Sequence, residues 1–282
     1  MLESQKVRIP PLKIQGIKTK IVPYIQEVFK TLDVGVYYEP FMGSGVVGLN
    51  LMPKVAVFSD NNPHIINFYN AIKEGTLTED SVRAFLIQEG QELEQEGQAH
   101  YLKIRQRFNK NQDSHDFLFL NRSCFNGLMR FNSRGDFNVP YCKKDRRFAP
   151  AYITKITNQV KWVSERIAQN DYTFLCCNFM QIFKQAQKGD LIYCDPPYIG
   201  RHADYFSLWS PKYEETLYDL LEHTQASFLL STWHSNTYRT NPYLHRYQEH
   251  QIELLDHFYH LGGKEKNRNA IKEALVQDFK NS

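Results

Sequence analysis

Asp195, Pro196, Pro197 and Tyr198 directly follow the apolar run Leu-Ile-Tyr-Cys at 191–194. Consecutive prolines fix φ twice and remove two backbone donors, so the segment reads as a rigid elbow at the end of a buried strand. There the Asp195 carboxylate and the Pro196 carbonyl can converge as two acceptors. An exocyclic aromatic amine, such as that of adenine, needs such a pair. Its lone pair is delocalised into the ring, and acceptors that each hold one N–H help to pyramidalise the nitrogen. Tyr198 adds a ring able to stack on a base withdrawn from its helix. The plain alternative is a chance Pro-Pro turn.

A second constellation is Tyr-Glu-Pro-Phe-Met-Gly-Ser-Gly at 38–45, containing Glu39, Pro40, Phe41, Gly43 and Gly45. With Gly48 it satisfies G-x-G-x-x-G, a turn that lets backbone approach a ligand and opens a helix with free N–H groups. Asp60 stands seventeen residues after Gly43, where a ribose-binding acid is expected, with Asn61 beside it. The spacing alone suits nicotinamide enzymes, methyl-transfer enzymes or a plain strand–helix turn. Glu39 favours the second, because a carboxylate there would repel a pyrophosphate.

These groups need elements to hold them. Apolar runs at 34–41, 55–59, 173–177, 191–194 and 228–231 read as strands. Helical spacing follows at 46–51, 62–73 and 151–168, and a long, polar, helix-rich stretch fills the middle. Alternation of this kind predicts an α/β fold with a doubly wound, mostly parallel sheet. Ligands of such sheets sit beyond the carboxyl ends of the strands, which is where the two motifs fall.

With 282 residues, 42% of them hydrophobic, the chain can bury one large domain or a domain plus an insertion. Five cysteines without a C-x-x-C pair fit neither a disulfide framework nor a zinc site, so no metal is expected. No membrane span or secretory leader is read, and a reduced, cytoplasmic protein is the expectation. The net charge of +3 hides an uneven distribution: 74–96 carry seven acids against one base, whereas 101–147 carry eleven Lys and Arg against four acids. Either run could be a solvated helix face. From 121 to 144, however, Arg122, Arg130 and Arg134 interleave with Phe125, Phe131 and Phe137 and with Asn126, Asn132 and Asn138. Arginine for phosphates and guanine edges, asparagine for adenine edges and rings for unstacked bases make a nucleic-acid toolkit. Glycines and Pro140 make it a set of loops.

The order of glycine turn, basic middle and Asp-Pro-Pro-Tyr resembles the amino-methyltransferases of the alpha arrangement. Phe-Leu-Asn-Arg at 119–122, Phe-Asn-Gly-Leu at 125–128 and Arg-Phe-Asn-Ser-Arg-Gly-Asp-Phe-Asn-Val-Pro at 130–140 resemble the Dam-type DNA adenine-N6 methyltransferases in detail. Further stretches resemble the EcoRV-type modification enzymes: Pro-Pro-Leu-Lys-Ile-Gln-Gly-Ile-Lys-Thr-Lys at 10–20, Asp-Pro-Pro-Tyr-Ile-Gly-Arg-His at 195–202, Ser-Thr-Trp-His at 231–234 and the segment 257–268. The resemblance implies S-adenosylmethionine as cofactor, double-stranded DNA as substrate and a restriction endonuclease as functional partner. It places Lys18 at a cofactor-contacting lysine and Asp60 at the ribose acid, with Asn178 and Phe179 flanking the cofactor adenine. Asp195, Glu39, Pro40, Phe41, Gly43, Gly45 and Asn61 complete the cofactor set.

By the same resemblance Phe125 and Asn126 enter the opened duplex, Leu128, Arg130 and Pro140 fall in base-reading loops, and Lys13 lies near the DNA. Arg122, Asn132, Lys143 and Lys144 are read as further DNA contacts. One departure matters: Ile14-Gln15-Gly16-Ile17-Lys18 replaces the common Trp-Ala-Gly-Gly-Lys, so the stacking ring is lost at Ile14. A cofactor-binding catalytic part at 1–75 and 150–282 with a mostly helical target-recognition insertion at 76–149 is the expected organisation.

Other chemistries fit less well. Cytosine-C5 methylation needs a nucleophilic cysteine, usually after proline, and none of the twelve prolines precedes one. Cytosine-N4 enzymes commonly carry Ser in place of Asp195, and ribosomal-RNA or protein-glutamine methylation goes with Asn-Pro-Pro. A silent DNA-binding regulator has no need of the intact elbow. His202, His234, His257 and His260 are read as packed or DNA-facing, and Trp162 and Trp209 as core.

Overall fold

Strand β1 (Tyr37–Glu39) is the third strand across a seven-stranded sheet of order β3-β2-β1-β4-β5-β7-β6. The computed structural model describes residues 6–199, 209–235, 240–258 and 270–279. β1 is shorter than the apolar run at 34–41 because Pro40 has no N–H for the ladder, while Val36 N–H donates to Asp190 Oδ1 at 2.9 Å. β2 (Val55–Asp60), β3 (Asp171–Cys176), β4 (Leu191–Cys194) and β5 (Ser227–Ser235) join it in parallel. β6 (Gln251–Phe258) and β7 (Ala270–Asp278) add an antiparallel pair beside β5 that periodicity did not announce.

The central strands are apolar on both faces because both faces are covered. Tyr37, Leu191, Tyr193 and Leu229 enter one core, and Tyr38, Ile192, Cys194, Phe228 and Leu230 enter the other. The first is shared by α1 (Val22–Lys30), α2 (Val46–Leu51), α3 (Pro63–Lys73) and α7 (Pro150–Gln169). The second is closed by α8 (Phe179–Phe183) and α9 (Pro211–His223).

The middle stretch is helical: α4 (Glu79–Glu96), α5 (Gln98–Asn111) and α6 (Ser114–Ser123). Thr78 and Ser81 form a capping box at the start of α4. The acids of α4 mostly face outward, but Glu89 is buried and takes Arg107 Nη2 at 2.9 Å and His100 Nε2 at 2.8 Å. Leu86, Phe108 and Phe119 belong to the same core as Tyr37 and Phe58, so these helices share the core of the sheet rather than forming a separate one. No helix among the described residues is long and apolar enough to cross a membrane, and the five cysteines are free thiols.

Candidate active site and nucleic-acid face

The glycine turn wraps the carboxyl ends of β1 and β2. Gly43 and Gly45 have φ of +47° and +65°, a region that suits glycine. Gly43 N–H donates to Asp60 Oδ2 at 3.0 Å, and Asn62 N–H donates to Asp60 Oδ1 at 2.9 Å. Burial nevertheless pushes the Asp60 carboxyl up to about 6. Asn61 is exposed beside it. Glu39 is buried and its Oε2 accepts Tyr37 O–H and Gly48 N–H, both at 2.9 Å. With no cationic partner among the described residues, Glu39 is pushed by burial up to about 8.

The elbow at 195–198 emerges from β4 opposite the chain's N-terminal segment. Lys18, itself buried, places Nζ 2.9 Å from Asp195 Oδ1 and donates to the Gly16 carbonyl at 3.1 Å. Burial raises the Asp195 carboxyl to about 6, with Lys18 opposing the rise. Behind the pair stands Glu273 of β7, fully buried, accepting Tyr198 O–H and Ser231 O–H at 3.2 Å each, 3.9 Å from Lys18 Nζ. Tyr198 is buried against Trp233, with Lys18 Nζ 5.0 Å from its ring centroid. Lys18 thus meets the Asp195 carboxylate directly. Glu273 was not read from the sequence; the available signal was one acid inside the apolar run Ala-Leu-Val at 274–276.

Aromatic rings close the other side. Phe41 stacks at a tilt on Phe179, centroids 5.2 Å apart, and Trp209 lies 5.4 Å from each. Trp209 is half-buried, packs against the second core and donates Nε1–H to Glu214 at 2.7 Å; Trp162 is buried in the first. Asn178 caps α8 by accepting Met180 N–H at 3.0 Å. The Phe41 and Trp209 rings and the Asp60 carboxylate at the end of β2 are groups that suit the adenine and ribose of S-adenosylmethionine.

The basic loops are organised around one hairpin and one projecting turn. Phe125, 49% exposed, and Asn126, with φ of +55°, form the turn tip, and Phe125 N–H donates to the Pro140 carbonyl at 2.8 Å. Arg130 is held by Nε–H donation to Asn138 Oδ1 at 2.9 Å. Leu128 is half-buried, and Pro140, Lys143 and Lys144 are exposed.

Three readings of the toolkit change. Arg122 is buried, donating to Tyr152 O at 3.2 Å and Gln159 Oε1 at 2.6 Å, so it presents no guanidinium to a phosphate or base. Asn132 accepts Arg134 and Asp136 N–H groups at 2.9 Å each and donates to Asp136 at 3.0 Å, so it builds the hairpin turn instead of reading adenine. Phe137 is buried and Phe131 stacks on His64 at 4.8 Å, leaving Phe125 as the exposed ring of the three. His234 Nδ1 lies 2.8 Å from Ser235 Oγ. His202, His260 and the side chain of His257 lie outside the described residues.

The model of the D12 class N6 adenine-specific DNA methyltransferases matches residues 15–273, from the segment that carries Lys18 to the strand that carries Glu273. The chain belongs to this family. A DNA adenine methylase of Serratia marcescens is 33% identical over 181 residues, 62% of this chain and 63% of that protein. One from Vibrio cholerae is 34% identical over 192 residues, 66% of this chain and 64% of that protein. The match therefore spans less than two thirds of either relative. The type II methyltransferase M.MjaIII of Methanocaldococcus jannaschii is 26% identical over 298 residues, 96% of this chain and 99% of that protein.

Proposed function

We propose that the chain methylates N6 of an adenine swung out of double-stranded DNA, using S-adenosylmethionine. The observation that carries this reading is Asp195 at the end of β4, oriented by Lys18 at 2.9 Å. Bound S-adenosylmethionine would supply the electrophilic methyl group. Asp195 and the Pro196 carbonyl each accept one N–H of the amine, and Pro197 stiffens the elbow. Tyr198 bounds the base, its hydroxyl fixed by Glu273. Gly43, Gly45, Asp60, Asn61, Asn178, Phe179, Phe41, Pro40 and Lys18 hold the cofactor. Residues 76–149 act as the target-recognition insertion on a catalytic part formed by 1–75 and 150–282.

On the DNA side the exposed Phe125–Asn126 tip enters the stack, Leu128, Arg130 and Pro140 belong to base-reading loops, and Lys13 lies near the DNA. Arg130→Ala is expected to weaken discrimination against sites altered at one base pair by about 1–3 kcal/mol. Lys143→Ala or Lys144→Ala should weaken all duplexes alike and flatten the salt dependence. Competition binding with cognate and altered duplexes checks this, and an equal loss for both with Arg130→Ala reassigns that residue to the backbone.

We infer GATATC as the target, methylated at its first adenine, with a cognate restriction endonuclease. Dam-type enzymes methylate GATC and EcoRV-type enzymes GATATC; the two sites share GAT, and 121–140 follows the pattern common to both enzyme groups. The segments at 10–20, 199–202 and 257–268 follow the EcoRV type. Expression in a host lacking adenine methylation should protect plasmid DNA from EcoRV endonuclease while ordinary GATC sites remain cleavable by a methylation-blocked endonuclease. Protection at every GATC makes the enzyme Dam-like. No incorporation at any site favours a DNA-binding regulator.

A further inference from the structure

Beside the Phe125 tip the described residues gather three cations around one tyrosine. Arg147 Nη2–H donates to Tyr152 O at 2.8 Å and Arg122 Nη1–H to the same oxygen at 3.2 Å. The Arg147 guanidinium lies 4.4 Å from the ring centroid, Arg122 5.7 Å and Lys13 Nζ 6.0 Å. Arg147 Nε–H also ties the cluster to the Arg122 carbonyl at 2.6 Å. None of the three cations has a carboxylate partner among the described residues, and buried Arg122 Nε has no partner of any kind. Mutual repulsion and burial disfavour such a group unless an anion completes it. Tyr152 O accepts two donors; burial pushes the hydroxyl pKa up, but Arg122, Lys13 and Arg147 together lower it from the ordinary phenol value.

The cluster's place is fixed by its neighbours. A Cβ on Gly127 would lie 3.0 Å from Lys13 Cδ, so the lysine stem packs directly under the turn that carries Phe125 and Asn126. Asn121, fully buried, clamps Lys13 by accepting its N–H and donating to its carbonyl, both at 2.8 Å. Five residues on, within roughly 18 Å of chain, the same segment delivers Lys18 to Asp195.

We propose that Lys13, Arg147 and the Tyr152 hydroxyl form the seat of one DNA phosphate flanking the flipped nucleotide, with buried Arg122 as a fixed charge behind it. The proposal rests on the DNA reading above and names a contact which that reading did not include. The seat registers the strand without reading sequence. It explains why Arg122 is buried without an acid: it holds Tyr152 and raises the local potential.

The test is fluorescence-anisotropy titration of the full chain with a GATATC duplex and an unrelated duplex over a series of salt concentrations. Arg147→Gln and Tyr152→Phe should each weaken both duplexes by about tenfold, and Arg147→Gln should lower the slope of log K against log salt by about 0.9. Lys30→Gln, on the exposed end of α1, should leave the slope unchanged. Tyr152→Phe keeps the ring and separates the hydroxyl from packing. If both variants melt as the wild type does and keep its slope and affinity, the cluster is packing only and the seat is wrong. A loss confined to the GATATC duplex also overturns it, in favour of a base contact. A wild type that binds no duplex overturns the DNA reading and the seat together.

Discussion

Asp195→Ala and Asp195→Asn should each lower methyl transfer on the order of 10²–10³-fold or more, the scale of removing a preorganised electrostatic group from a reaction centre. The carboxylate is one of the two acceptors proposed for the target amine, and an amide offers a weaker acceptor beside a donor that opposes the N–H. Asn is the cleaner variant. Ala takes the nearer acid from the buried Lys18 ammonium, which then faces Glu273 at 3.9 Å, and this adds a stability cost. Tritiated-cofactor incorporation reads the rate, and thermal melting verifies the fold. Turnover of Asp195→Asn near the wild-type rate would remove the mechanism proposed here.

The same carboxyl sets a pH dependence. Burial raises it to about 6, and the acceptor role requires the ionised form. The kcat/KM for DNA should therefore fall as the pH drops through about 6 and level off above it. The Asn variant should lack that limb.

Gly48→Ala should unfold more easily than the wild type by about 1–3 kcal/mol, the range for forcing volume into a packed interior. A Cβ there would lie 2.3 Å from Phe58 Cε1 and 2.6 Å from Glu39 Oε2. Neither can yield. Phe58 is stacked on Phe174 at 5.3 Å and edged by Tyr172 at 5.2 Å, and Glu39 Oε2 accepts the Gly48 N–H itself. Urea denaturation compares it with Gly75→Ala, where φ is +76° but the space is open, so only backbone strain of about 1 kcal/mol applies. Equal midpoints for Gly48→Ala and the wild type would mean that α2 can withdraw from the sheet.

Local chemistry made some of this legible. Leu-Ile-Tyr-Cys before Asp195 and Val-Ala-Val-Phe-Ser before Asp60 are strands because uninterrupted apolar residues need burial on both faces, and both acids stand at strand ends as read. Asn62 and Asn178, each followed by an apolar turn, cap α3 and α8 through their side chains. The β6–β7 pair was not legible. Glu253, Glu273 and Gln277 interrupt its periodicity, and what holds it is pairing with β5, a partner distant in sequence.

Residue type could not separate DNA-facing groups from structural ones within 121–144. Arg122, Asn132 and Phe137 have the same donors and rings as Arg130, Asn126 and Phe125. Burial and hydrogen-bond partners assign the first three to packing. The sequence by itself determined which atoms are available at the elbow and the glycine turn, because prolines, glycines and acids act through their own backbone and charge. The tertiary structure alone decided that Lys18 faces Asp195, that Glu273 stands behind them, and that Lys13, Arg122 and Arg147 surround Tyr152. The Lys18–Asp195, Lys18–Glu273 and Lys13–Tyr152 pairings join segments more than a hundred residues apart, where only the packed sheet and helices bring charges within reach.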